Sequence, residues 1–170
     1  MSLETIKLEH LKLKDNDKLL DLGCGEGRHA LSAYVSKELK VYAVDLSIKD
    51  LGTTKNRFNE FFETDNEKKA LSLAAADAKN LPFQDNTFDS VICSEVLEHV
   101  HDYKSVLLEI SRVLKDGGTA GISVPRFFPE WICWKLSDAY HEVKGGHIRI
   151  FRKPKLLADI EKTGLNFKKL

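Results

Sequence analysis

The stretch Leu19-Leu20-Asp21-Leu22-Gly23-Cys24-Gly25-Glu26-Gly27-Arg28-His29-Ala30 decides how this 170-residue chain folds. An apolar run ends in an acid and a leucine, three glycines follow at alternate positions, and residues able to start a helix come next. A strand that breaks into a glycine turn and feeds a helix is how an α/β domain builds a ligand cradle. Gly23, Gly25 and Gly27 carry no Cβ, so the backbone there can take positive φ and lie against a bound group. An ordinary tight turn asks for one or two glycines; three at alternate positions after an apolar run exceed that need.

Outward from this stretch, strand-like runs alternate with helical stripes. Lys18–Leu22 reads as the first strand and Arg28–Ser36 as a helix with Leu31, Tyr34 and Val35 turned inward. Lys40–Asp45 reads as the second strand. Ile48, Leu51, Lys55, Phe58 and Phe62 recur at helical spacing and carry a second helix to near Asp65. Leu71–Ala75 is a short, alanine-rich strand suited to an edge, and Asp77–Pro82 is a loop. Thr87–Cys93 is the fourth strand. Tyr103–Leu114 is a long helix that Asp116-Gly117-Gly118 is expected to stop with a left-handed cap, and Thr119–Val124 is the fifth strand. Leu3–Leu11 reads as a lead-in helix capped by Ser2. Lys153–Thr163 reads as a last helix with Pro154 in its first turn and Gly164 beyond it, and Leu165–Leu170 as the start of a sixth strand. The connections are long enough for right-handed crossovers, so the fold class expected is α/β: a Rossmann-like, doubly wound, mainly parallel sheet.

The length suits a single domain over 1–170: a core at 1–125, an aromatic segment at 126–147, and a terminal helix and strand at 148–170. Twenty-six basic residues balance 26 acidic ones, so nothing marks a generic binder of polyanions or of nucleic acid. Basic residues gather after Lys144 (Arg149, Arg152, Lys153, Lys155, Lys162, Lys168, Lys169), which reads as a solvated face or as a surface for an anionic substrate or partner. Three widely spaced cysteines, Cys24, Cys93 and Cys133, are no disulfide framework and fit a reducing, cytoplasmic setting. No apolar run approaches ~18 residues, so no membrane span is expected.

The ligand can be narrowed from the same residues. Asp45 ends the second strand and follows Gly27 by 18 positions. A carboxylate there faces the crevice of the glycine turn and can hold the two hydroxyls of a ribose; the other reading is that Asp45 or Ser47 caps the second helix. A dinucleotide site wants Gly-x-Gly-x-x-Gly. Here the third glycine comes one position early and Arg28 stands where that pattern needs glycine. Asp21 would repel a phosphate but can hold an ammonium group, and the helix N-terminus behind it favours a carboxylate. A ligand with an amine, a carboxylate and a ribose is an amino-acid nucleoside.

The segment from Asp21 to Gly27 resembles the first motif of class I S-adenosylmethionine-dependent methyltransferases. The likeness continues through Val44-Asp45, Asp77-Ala78 with Leu81-Pro82-Phe83, Phe88-Asp89-Ser90-Val91 and Val113 to Gly118, in the family's order, over roughly residues 1–125. The nearest branch is the small-molecule type related to ubiquinone biosynthesis, the "type 11" methyltransferases. The resemblance implies S-adenosyl-L-methionine as cofactor. Gly23, Cys24, Gly25 and Gly27 would take its methionine part, with Asp21 near the amino group and Arg28 either on the carboxylate or in a surface ion pair. Asp45 would hold the ribose. Asp77 would accept from the adenine amino group, with the Ala78 backbone at the ring edge and Leu46 and Leu81 as apolar walls; the plainer reading of Asp77 is a turn acid. Ser94 would line the sulfonium end. The family's sheet has seven strands, so the chain reads as truncated before its closing hairpin, with an open sheet edge available for self-association.

Methyl transfer is an in-line displacement for which the protein aligns a small-molecule acceptor and excludes water. A base is needed when the acceptor loses a proton, and Glu98 and His99, after the fourth strand, are the candidates. On a helical turn Glu95, Glu98 and His99 would share one face and could hold a divalent metal, with His147 as a fourth ligand. A similar Glu-x-x-Glu-His resembles a magnesium site in some ubiquinone-type and small-RNA methyltransferases. The plainer reading is a turn with a packed histidine. Trp131, Trp134, Tyr140 and His147 are candidates for the acceptor pocket, or for ordinary helix packing. A cofactor-binding module without catalysis is the second reading of the whole chain. A nicotinamide dehydrogenase is a distant third, disfavoured by Asp21 and Arg28.

Overall fold

The apolar runs become five strands, β1 (Lys18–Leu22), β2 (Lys40–Asp45), β3 (Ala70–Ala75), β4 (Phe88–Ser94) and β5 (Leu114–Ser123), paired in parallel in the order β3-β2-β1-β4-β5. The structure is a computed structural model, and it describes residues 5–60, 68–125 and 148–167. Four helices accompany the sheet among these residues: α1 (Arg28–Ser36), α2 (Ile48–Phe58), α3 (Tyr103–Val113) and α4 (Lys153–Glu161). The chain winds from β1 through β2 to β3 on one side, then returns to place β4 and β5 on the other. The crevice at this reversal, outside the carboxyl ends of β1 and β4, is where such sheets bind ligands. No described helix is long and apolar enough to cross a membrane.

Central strands buried on both faces read as continuous apolar runs. Leu20, Leu22, Val91 and Cys93 pack with Val106, Leu107 and Ile110 of α3 and Leu156 of α4. On the other face Leu19, Val41, Ala43 and Ile92 pack with Ala30, Ala33 and Tyr34 of α1 and with Ile6 and Leu11. The alanines of α1 let the helix lie close to the sheet. This turns Val35 outward, 54% exposed, where the sequence placed it inward, and leaves Leu31 half-buried.

Four boundaries differ from the expectation. The lead-in helix is reduced to a 3₁₀ turn, Leu8–Leu11, with Thr5–Lys7 outside any helix; Ser2 lies outside the described residues. This non-helical entry carries Ile6 over Gly121, where even a Cβ would come within 2.9 Å of it. α2 stops at Phe58, whose ring meets Tyr34 edge-on at 4.8 Å, well before Asp65. α3 runs straight into β5, with Leu114 already extended, so Asp116-Gly117-Gly118 is not a helix cap. These residues form a bulge: Phe88 pairs with Leu114 and Ser90 with Thr119, so two steps along β4 face five along β5. Gly117 takes φ 76°, and a Cβ on Gly118 would sit 2.9 Å from the Asp89 carbonyl. Finally, Leu165–Phe167 form no strand.

One arginine fastens the loop after β3 to α3. Arg112 donates from Nε to Glu109 Oε1 (2.6 Å), from Nη1 to the Phe83 carbonyl (2.7 Å) and Asp85 (2.8 Å), and from Nη2 to the Leu81 carbonyl (3.2 Å). Glu109 in turn accepts from the Leu81 N–H at 2.6 Å. These bonds hold Arg112 more firmly protonated and keep the Glu109 carboxyl below its usual range. Hydrogen bonds to charged groups contribute about 1.5–3 kcal/mol, so Arg112→Ala is expected to cost about 2–3 kcal/mol of stability in a urea titration.

Candidate functional site

The carboxyl ends of β1, β2, β3 and β4 converge on the glycine turn. The N–H groups of Gly23 and Cys24 both donate to the Val44 carbonyl, at 2.8 and 3.0 Å, which pins the turn to β2. All three glycines have positive φ, for different reasons. A Cβ on Gly23 would run into Val96 Cγ2, and one on Gly27 would lie 2.5 Å from Thr54 Cγ2. A Cβ on Gly25 would meet nothing within 4 Å. The outer glycines therefore serve packing, while Gly25 turns its bare face to open space.

Asp45 closes this loop from the neighbouring strand. Its Oδ2 accepts from Gly25 N–H and its Oδ1 from Ser47 N–H, each at 2.8 Å. The helix cap is Ser47, whose hydroxyl oxygen accepts from Asp50 N–H at 3.2 Å. That leaves Asp45 to the loop and the crevice. A carboxylate offers about four acceptor positions, so two hydroxyl donors can still be met. From α2, Thr54 donates to the Gly25 carbonyl at 3.0 Å, and Arg57 grips Glu26 through its carboxylate (2.5 Å) and carbonyl (3.0 Å). Neither clamp carries a sequence signal, because each pairs residues about thirty positions apart.

Asp21 lies beneath the turn, 2% exposed, with Oδ2 accepting from Ala30 N–H at 2.9 Å. Burial lifts its carboxyl to about 7; the Ala30 bond and the Arg28 charge oppose the rise, and Asp45 adds to it. Burial also pushes the Cys24 thiol up, with Asp21 and Asp45 reinforcing it, so Cys24 is a packed thiol. A buried acid of this kind is relieved by a cation placed beside it.

At the end of β3, Ala76 N–H donates to the Asp45 carbonyl at 3.2 Å and brings Asp77 to the same rim. Asp77 accepts from Lys79 N–H (2.9 Å) and pairs with its ammonium (3.4 Å), the geometry of a turn acid. Ala78 packs partly buried against the core. Leu46 is 72% exposed beside Asp45, and Ile48, which the sequence reading used only for helix spacing, is 77% exposed next to it. Leu81 is corrected: at 4% exposure it belongs to the core and offers no wall to the crevice.

The segment after β4 departs most from expectation. Ser94 is buried, and its hydroxyl bonds to those of Thr5 and Ser123. Glu95 takes φ 56°, and only Leu97–His99 form a 3₁₀ turn. Glu98 is buried at 1% exposure while His99 is exposed. Glu95, Glu98 and His99 therefore do not share a helical face, because the left-handed residue at 95 breaks the spacing on which that face depended. Among the described residues no group of three His, Cys, Asp or Glu side chains gathers as a metal site. His147, Trp131, Trp134 and Tyr140 lie outside the described residues.

A family model described as "Methyltransferase domain" matches residues 20–122. The chain is 36% identical over 117 residues to a demethylmenaquinone methyltransferase of Bacillus mycoides, covering 68% of this chain and 46% of that protein. It is 32% identical over 138 residues to a sterol 24-C-methyltransferase of Kluyveromyces lactis, covering 81% of this chain and 34% of that protein. The chain thus spans under half the length of these curated relatives. Among solved structures, a chain of the complex between the Haloferax volcanii Trm112 methyltransferase activator and a methyltransferase shares the fold. The TM-score is 0.78 at 23% identity, with 95% of this chain and 67% of that one covered.

Proposed function

Because the chain belongs to the methyltransferase-domain family, of the class I S-adenosylmethionine-dependent type, we propose that it carries a methyl group from S-adenosylmethionine to a small, apolar ring acceptor. One juxtaposition supports this reading above the rest. The buried acid Asp21, the open face of Gly25 and the half-used carboxylate of Asp45 stand side by side at the switch point. A zwitterionic tail followed by a ribose fits that set, and a pyrophosphate does not.

In this reading Asp21 holds the ammonium group, the Gly25 backbone lies under the methionine tail, and the N-terminus of α1 with Arg28 faces its carboxylate. Asp45 takes the ribose hydroxyls with its remaining acceptor positions. Leu46 and Ile48 flank the adenine, and Asp77 turns from Lys79 to the adenine amino group beside the Ala78 backbone. The bound sulfonium supplies an electrophilic methyl carbon and a good leaving group. The chain's own work is to orient the acceptor, keep water out and take the acceptor's proton. The relatives named for a quinone and a sterol support an apolar ring acceptor. We place its pocket on the segment bearing Trp131, Trp134, Tyr140 and His147, where broad rings would cover it.

Calorimetric titration with S-adenosylhomocysteine is expected to show one site, and NAD none. Label from methyl-labelled S-adenosylmethionine is expected on one or more members of a panel of quinols, phenols and sterols. No heat with S-adenosylhomocysteine overturns the cofactor assignment. Binding without label transfer to any panel member overturns the transferase reading and leaves a cofactor-binding module.

A further inference from the structure

Beside the glycine cradle, five side chains from four parts of the chain join in one hydrogen-bonded row. His29, in the first turn of α1, has Nε2 3.2 Å from the Thr5 hydroxyl. Thr5 bonds the hydroxyl of Ser94 at the end of β4. Ser94 Oγ lies 3.0 Å from Ser123 Oγ at the end of β5. Ser123 donates to Glu95 Oε1 at 3.1 Å. His29 and Ser94 are buried, at 4% and 8% exposure.

Each hydroxyl both donates and accepts, so three in succession can pass a proton by reorienting. The row ends in a carboxylate on one side and an imidazole on the other, each with an atom that can accept a proton. Glu95 is also held in the left-handed region at φ 56°, which costs a non-glycine residue about 1–2 kcal/mol. Its N–H donates to the Ser123 carbonyl at 3.1 Å, so the strand that supplies the hydroxyl also fixes the strained residue. The next residue, Val96, packs on Gly23. Glu95 thus follows the carboxyl end of β4, on the crevice side of the sheet, and the row runs from it through the exposed Thr5 to the buried His29.

We propose that Glu95 takes the proton the acceptor loses, and that Ser123, Ser94 and Thr5 pass it to His29. The inference rests on the methyl-transfer reading and extends it to the base. The acceptor's pair of electrons forms the new bond to the methyl carbon, and the pair of the broken carbon–sulfur bond stays on sulfur. The acceptor's X–H bond breaks, and its proton goes to the Glu95 carboxylate. Each hydroxyl in turn gives up one proton and gains one, and the imidazole, accepting at Nε2, ends as imidazolium. One proton moves, and nothing is oxidised or reduced. Glu95 is then the catalytic residue; Ser123, Ser94 and Thr5 are positioning and relay groups.

The test uses the full chain, methyl-labelled S-adenosylmethionine and the member of the quinol and phenol panel that takes label. Glu95→Gln is expected to lower kcat by about 100-fold or more, the usual share of a general base, with S-adenosylhomocysteine affinity unchanged. Ser123→Ala is expected to lose less, and to turn a bowed proton inventory in mixed light and heavy water into a straight line. Ser123→Thr, which keeps the hydroxyl, restores the bow. Wild-type kcat in Glu95→Gln, or a bowed inventory in Ser123→Ala, overturns the inference while the transferase reading stands. Absence of label transfer by the wild type, with S-adenosylhomocysteine bound, overturns that reading and the inference with it.

Discussion

Asp21→Asn is expected to weaken S-adenosylhomocysteine binding by about 30-fold or more, the effect of removing one partner of a buried charge pair at about 2–5 kcal/mol. Asparagine keeps the shape and can still accept from Ala30 N–H, so the fold survives the change. What goes is the negative charge that an ammonium group would find. Because burial raises the Asp21 carboxyl to about 7, the free protein must release a proton there before the charge exists. Wild-type affinity is therefore expected to rise as pH climbs from 6 to 8, and affinity of the variant to stay level. Titration calorimetry across that range checks both. The same group imposes a slope on stability. The folded chain keeps a proton that the unfolded chain loses above about 4, so this contribution is full at lower pH and is lost as pH rises through about 7. Thermal unfolding of the free protein should show the slope in the wild type and lack it in Asp21→Asn. A wild-type affinity indifferent to pH would place the cationic tail elsewhere.

The second large effect separates two glycines that look alike in sequence. Gly23→Ala forces a Cβ into Val96 at φ 70°, combining left-handed strain of about 1–2 kcal/mol with overpacking of about 1–3 kcal/mol. It is expected to lose about 2–5 kcal/mol of stability and with it much of the folded protein. Gly25→Ala pays only the backbone cost at φ 51°, since nothing lies within 4 Å of the added methyl. It should fold, melt a few degrees lower, and lose S-adenosylhomocysteine binding because the methyl occupies the cradle. Circular dichroism melts beside calorimetry read both quantities. A Gly25→Ala protein that binds as the wild type does would remove the methionine tail from that loop.

The strands were legible because each rests on a local pattern. Lys18–Leu22, Lys40–Asp45 and the run ending near Cys93 are apolar stretches whose meaning survives any context. Asp45 was legible as the acid that ends the second strand beside the glycine turn, and Ser47 as a cap from its residue type. Positions decided by distant partners were not. Arg112 on its helix announces only the pair with Glu109, since the carbonyls of Leu81 and Phe83 reach it from another loop. Leu81 before a proline can face either way until α3 covers it. Glycine signals a helix cap and a strand bulge equally well, so Gly117 and Gly118 misled by type. The grouping of Glu95, Glu98 and His99 assumed a helical turn, and one left-handed residue removed its basis. Thr5 and Ser123 carry no spacing at all, and only folding brings them together.

The bulge at Asp116-Gly117-Gly118 also governs which side chains of β5 face which way. Strand residues alternate between faces, so the number of bulged residues sets the phase of everything downstream. Two steps of β4 against five of β5 bring Ser123 opposite Ser94. Loss or gain of one residue in that bulge would turn Thr119–Ser123 over and send the Ser123 hydroxyl to the other side of the sheet. The length of this segment is thus constrained along with its two glycines, and homologues are expected to vary it by two residues together, but not by one.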